Sequence, residues 1–156
     1  METKDHILVS LSKELHSVRE QPRLLIILTH AFIEGRVDEI IEAKCKNGKD
    51  IVGNRNYTHS MKIVILHEAG LLNNELFNAL NWFRRLRNRV VHNPFYKPDK
   101  SHALTAKEKL AGWTPWIDRA DAFDSVFWHE VCLTLQGALW NYHVDTMRDQ
   151  HMHSKK

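Results

Sequence analysis

Apolar residues in this chain recur every third or fourth position and almost nowhere alternate, a spacing that commits the backbone to helices. Leu76, Leu80, Phe83 and Val90 form one such stripe, and Ile7, Leu8, Leu11, Leu15 and Val18 form another. The punctuation agrees: 6 Gly and 4 Pro in 156 residues are too few for the tight turns of an all-β fold. The pattern predicts one all-α domain over residues 1–150, with residues 151–156 as a frayed tail. A chain this long buries roughly 68–70% of the surface its unfolded form exposes, enough for a core without disulfides or a structural metal.

The boundaries follow from capping chemistry. A first helix is expected from about residue 4 to 20. Pro22 opens a second, which runs to about Cys45 with Leu24, Ile27, Leu28, Ala31, Ile40 and Ile41 as core candidates. Asn47-Gly48 stops it, and residues 46–59 read as a loop. Thr58 or Ser60 can cap a short helix ending near Gly70, a residue suited to left-handed backbone. Asn73 can cap the next helix, and Pro94 ends it by disfavouring helical geometry at Asn93. Residues 94–121 are irregular, with Thr105 to Glu108 as a capping-box pattern that predicts a short helix over 105–111. A last long helix begins near Asp121 and carries Phe123, Val126, Phe127, Val131, Leu135, Ala138 and Tyr142.

Several function classes lose ground at once. The longest apolar run, Leu24 to Leu28, is far short of the ~20 residues of a membrane span. The N-terminus lacks the apolar stretch of a signal peptide, so no membrane partner and a cytoplasmic location are expected. Cys45 and Cys132 have no CxxC partner and read as free thiols in a reducing compartment. His67-Glu68 and His129-Glu130 each begin like a zinc-protease helix, but Leu71 and Leu133 stand where the second His is needed. Gly48-Lys49 lacks a P-loop's upstream glycine and its hydroxyl. No metal and no cofactor are therefore expected. The net charge of +3 decides little unless it is gathered on one surface.

The chemistry-bearing stretch is residues 84–92, Arg-Arg-Leu-Arg-Asn-Arg-Val-Val-His. At about 100° per residue, Arg87 falls in the middle of the Leu76/Leu80/Phe83/Val90 stripe. A charge seldom occupies an apolar face, because desolvating it is costly unless it is paired. Either Arg87 makes a structural ion pair or it is held for a ligand. Ile27, Ala31, Glu34 and Asp38 share a face of the second helix, so Glu34 or Asp38 could orient Arg87, or both could face solvent near the helix end. Arg84, Arg85 and Arg89 read as solvent-face arginines, of which Arg84 and Arg89 could touch phosphates. His92 is either a partner of the helix C-terminal dipole or a proton-transfer group whose ring Asn88 fixes from one turn earlier. Trp128 and Trp140 read as core or interface, while Trp113 and Trp116, flanking Pro115, are packing anchors or ligand contacts that could stack bases.

Arg87-Asn88-Arg-Val-Val-His92 resembles the Arg-x(4–6)-His motif of the HEPN superfamily, in which a polar residue commonly follows the Arg. Residues Ala31–Ile41, Ser60–Leu72 and Glu75–Asn93 resemble, in order, three consecutive segments of its mannitol-repressor branch. The resemblance covers residues 5–93 and the helical character of the last segment; the Trp-bearing stretch 94–121 lies outside it. It implies an HEPN-like bundle of about four to five long helices, plus a short helix in an irregular insertion. It also implies a two-fold dimer in which the Arg/His motifs of both protomers share a cleft. Catalytic relatives are metal-independent endoribonucleases, many of them toxins or defence effectors, while others bind RNA or nucleotides or act as regulators. The resemblance thus implies RNA as the substrate, a homodimer, and an antitoxin or regulatory protein as a further partner. The residue types suit RNA cleavage. His92 would move the proton of the 2′-OH or of the leaving 5′-oxygen. Arg87 would stabilise the charged phosphate oxygens, and Asn88 would orient ring or phosphate. No helix-turn-helix with a polar recognition helix is visible, which argues against a DNA-binding repressor in its own right.

Overall fold

The computed structural model describes residues 4–113 and 125–153, and all of their regular elements are helices. In chain order the helices are α1 Lys4–Ser17, α2 Pro22–Lys44, α3 Gly48–Gly53, α4 His59–Glu68, α5 Asn74–His92, α6 Lys100–Leu110 and α7 Ser125–His153. No strand occurs among the described residues, and no helix among them is long and apolar enough to cross a membrane. The all-α expectation holds. The expected start of the last helix near Asp121 and residues 154–156 of the expected tail lie outside the described residues, while residues 151–153, expected to fray with that tail, continue α7.

The caps explain the boundaries. Pro22 opens α2 at a position where its missing N–H costs nothing. Thr58 caps α4, its side chain accepting from the backbone N–H of Met61. Gly70 follows at φ 69°, the left-handed backbone that only glycine adopts without strain. Asn73 caps α5 by accepting from Leu76 N at 2.8 Å. After His92 the chain turns extended at Asn93, as Pro94 requires. Arg23 of α2 ties this end down, donating to the carbonyl oxygens of Asn93 at 2.8 Å and Tyr96 at 3.2 Å.

Helix α2 is the hub, in contact with α1, α3, α4, α5 and α7. Its buried face reads Ile26, His30, Ile33, Val37, Ile40, packed against Leu76, Leu80, Phe83 and Val90 of α5 and against Trp128, Val131 and Leu135 of α7. Each fully buried Leu, Ile or Phe contributes roughly 1.5–3 kcal/mol relative to exposure, so this three-helix contact is the main source of stability. One buried polar pair inside it is matched, Gln136 Nε2 donating to Thr29 Oγ1 at 3.2 Å. Trp128 is core, as its place on the last helix suggested. Cys132 is buried, which pushes its thiol up to about 12, and Cys45 is half-buried; both are free.

Three expectations need correction. Leu24 and Ala31 are exposed, because the buried face of α2 is turned toward Ile26 and His30. The loop expected over 46–59 contains α3, whose first residue abuts the end of α2 so closely that a Cβ on Gly48 would lie 2.2 Å from the Ile41 carbonyl oxygen. Helix α6 starts five residues earlier than the capping box at Thr105 suggested. Asp99 caps it instead, accepting from the backbone N–H of Ser101 and of His102, while the His102 ring reaches back to the Asp99 backbone.

Candidate functional site

The second half of α5 carries the predicted residues, and the face it turns toward α2 and α4 decides their surroundings. Arg87 is half-buried. Its Nε is sealed from solvent without a hydrogen-bond partner, while Nη1 donates to Asn88 Oδ1 at 3.2 Å. Arg84, expected to face solvent, is half-buried in the same way, with its Nε sealed and unpartnered. Arg85 is exposed. Arg89 is exposed and lies on the His102 ring, Nη1 to Nε2 at 3.1 Å, which occupies it with the start of α6.

Among the described residues no carboxylate pairs with Arg87. Asp38 Oδ1 instead accepts from Lys62 Nζ at 2.8 Å, joining α2 to α4. Glu34 Oε2 lies 3.5 Å from His30 Nδ1, too long for a good hydrogen bond. The cause is the rotation of α2: with Ile26, Ile33 and Val37 inward, the residue that completes the line at helical spacing is His30, not an acid.

His30 is only 2% exposed. Its ring meets that of His59, the first residue of α4, edge to face at 4.9 Å between centroids. All four ring nitrogens of this pair are sealed and without hydrogen-bond partners. Burial, helped by the charges of Arg87 and Arg84, lowers His30 from 6.5 to about 4. Burial, followed by His30, Arg84, Lys62 and Arg87, lowers His59 to about 3. Both imidazoles are therefore neutral at physiological pH. Leaving a buried polar group without a partner costs about 1–3 kcal/mol, so two imidazole rings and two guanidinium Nε atoms in this condition are an expensive feature for a fold to carry.

His92 is exposed at the last position of α5. Asn88, expected to hold its ring, has its side-chain oxygen engaged by Arg87 instead. Val91, next to it in the chain, is 42% exposed and Phe95, just after the helix, 90% exposed, so two large apolar side chains reach the surface at this end of α5. The His102 ring forms a separate node: Nδ1 lies 2.7 Å from Asp99 Oδ1, and Nε2 meets Tyr96 Oη and Arg89 Nη1. Hydrogen bonds from Ser101 and His102 hold the Asp99 carboxyl well below the usual range, as a capping carboxylate requires.

The remaining sequence candidates fall apart spatially. His67 is stacked on Phe77 and bonded to Asn74 at 2.7 Å, and His129 packs against His16. Among the described residues no group of three or more His, Cys, Asp or Glu is arranged to hold a metal. Trp140 packs under the Arg36 guanidinium at 4.9 Å, and half-buried Trp113 packs on the core. Trp116 lies outside the described residues.

His30 and His59 are what the motif search missed. The available signal was the spacing Ile26, His30, Ile33, Val37, which places an imidazole in a core line. Comparisons with protein-family models, curated proteins and solved structures find no match to the chain.

Proposed function

We propose that this chain is an RNA-directed protein of the HEPN type, in which Arg87, Asn88 and His92 carry metal-independent cleavage of RNA. The observation that carries this reading is the state of Arg87: a guanidinium half-buried on an apolar helix face, paired with no carboxylate among the described residues and bonded to Asn88. An arginine so placed is suited to an anionic ligand. In the reaction His92 takes the proton of the 2′-OH, the 2′-oxygen bonds to phosphorus, and the bond to the 5′-oxygen breaks as that oxygen acquires a proton. Arg87 and Arg84 stabilise the charge that develops on the phosphate oxygens. The product is a 2′,3′-cyclic phosphate.

On one helix Arg87 and His92 diverge by about 140° and are about 7.5 Å apart along the axis, so one protomer presents them poorly to one phosphate. A homodimer with its two-fold axis near the end of α5 would let each Arg87 approach the other protomer's His92 within about 10–15 Å, across a helix pair spaced ~8–10 Å. The exposure of Val91 and Phe95 beside His92 supports such a contact, since burying them requires a second surface. The same divergence favours, as a second reading, a non-catalytic regulator that uses the arginine face to hold a partner such as an antitoxin or a regulatory protein.

The test is incubation of purified protein with mixed RNA in EDTA. Cleavage is expected, with Arg87→Ala and His92→Ala each reducing it at least about 100-fold, the usual weight of a charge-stabilising donor and of a proton-transfer group. Cleavage that survives both substitutions would assign the activity to other residues. No cleavage by a well-folded dimer would leave the regulator.

A further inference from the structure

We propose that His30, His59, Arg84 and Arg87 together bind one dianionic phosphate group, either a free phosphomonoester or the terminal phosphate of an RNA. The inference rests on the reading of Arg87 as a phosphate-facing arginine, but not on cleavage. Three observations carry it.

The first is the sealed and unpartnered state of both imidazole rings and of both guanidinium Nε atoms, with His30 almost wholly buried. Such groups are ordinarily bonded in a finished fold. The second is charge. The imidazoles are neutral, so the two guanidiniums contribute two positive charges, which a dianion balances and a diester or carboxylate leaves half matched. The same two charges repel a metal cation. The third is the donor inventory. Each neutral imidazole offers one N–H and each guanidinium at least its Nε–H, a set suited to the three terminal oxygens of a phosphomonoester.

The neighbouring charges sharpen the site. Lys62 is taken by Asp38 and does not compete. Glu34 stands at the rim, 3.5 Å from His30 with 42% of its side chain exposed, where its carboxylate opposes an incoming anion. Arg84, Arg87 and His59 are only half-buried, so the set is not wholly enclosed.

Titration calorimetry of the full chain tests this at constant ionic strength and pH about 7.5, above the second phosphate pKa of about 6. The probes are inorganic phosphate, adenosine 5′-monophosphate, its methyl phosphodiester, and an all-deoxy oligonucleotide with and without a 5′-phosphate. The monoesters should bind at least about tenfold more tightly than the diester, the weight of one charge-assisted hydrogen bond. Tightest binding of the phosphorylated oligonucleotide would identify a nucleic-acid end as the ligand, and tightest binding of the mononucleotide a free nucleotide. His59→Gln and Arg84→Gln should each weaken monoester binding about tenfold, exposed Arg85→Gln should not, and Glu34→Gln should tighten it. Should either core-side variant fail to fold, the sign of the Glu34→Gln effect still decides. No saturable binding at millimolar probe, equal binding of the diester, or parent-like binding by folded variants would overturn the proposal. A protein that cuts 5′-hydroxyl RNA yet binds no monoester would sink this inference and leave the ribonuclease reading standing. Monoester binding without cleavage would do the reverse.

Discussion

Helix α2 meets its neighbours through two kinds of buried charge, and they are treated oppositely. Around Arg36 and Lys62 every cation is matched. Arg36 bonds Glu39 at 2.6 Å and lies over the rings of Phe32 and Trp140, and Lys62 bonds Asp38 at 2.8 Å. Near His30 the same helix faces His59, Arg84 and Arg87, and their inward nitrogens have no partner. A fold that buries charge for its own stability supplies the counter-charge, as it does at Asp38. Where it supplies none, as beside His30 and His59, the buried polar groups call for another explanation, which the phosphate proposed above would provide.

The largest expected effect is on acid stability. Because His30 and His59 are lowered in the folded state, the unfolded chain binds more protons below pH 6.5. Their contribution is therefore intact above pH 6.5 and is lost as pH falls toward 4. For His30 alone the loss between pH 7.5 and 4.5 is roughly 2–3 kcal/mol. Urea unfolding of the parent and of His30→Gln at both pH values should show the parent losing about that much more. Parallel losses would mean that His30 is not a buried neutral imidazole.

The matched region gives the next effect. Lys62→Met leaves Asp38, about a third exposed, without its partner and should cost about 1–2 kcal/mol, less than a fully buried pair would. Asp38→Asn added to it should cost less than the two separate effects summed, and a double-mutant cycle that proves additive would mean the pair is not coupled.

The unmatched region should respond with the opposite sign. His59→Phe keeps the ring packing on His30 and removes two unpartnered nitrogens, so the melting temperature should rise, by about 1 kcal/mol of stability. Smallest of all is His92→Ala. The side chain is exposed at the helix end, and a change within about 0.5 kcal/mol is expected even where cleavage is lost.

How much of this was legible in the sequence varies from helix to helix. Helix α5 was readable because Asn73, Pro94 and a single unambiguous stripe fix its ends and its phase, and Arg87 duly lies half-buried on that stripe. Helix α2 was not, because Leu24 to Leu28 are apolar on all sides and leave its rotation open. That ambiguity hid His30 and misdirected Glu34 and Asp38. Helix α3 rests on the contact of Gly48 with the end of α2, a tertiary feature without local periodicity. The cap at Asp99 uses His102 where a Glu or Gln is the usual signature. That the Nε atoms of Arg84 and Arg87 are buried without a partner depends on how the helices pack, so no single segment of sequence could announce it.

The most direct measurement takes Arg87→Met, which keeps most of the side-chain volume and removes the charge, and records its melting temperature and its RNA binding together. If Arg87 is held for a phosphate, the melting temperature should stay within about 2 °C of the parent or rise, since less than 1 kcal/mol of stability is involved, while RNA binding is lost. A fall of more than about 5 °C with RNA binding intact would make Arg87 a structural residue and contradict the assignment.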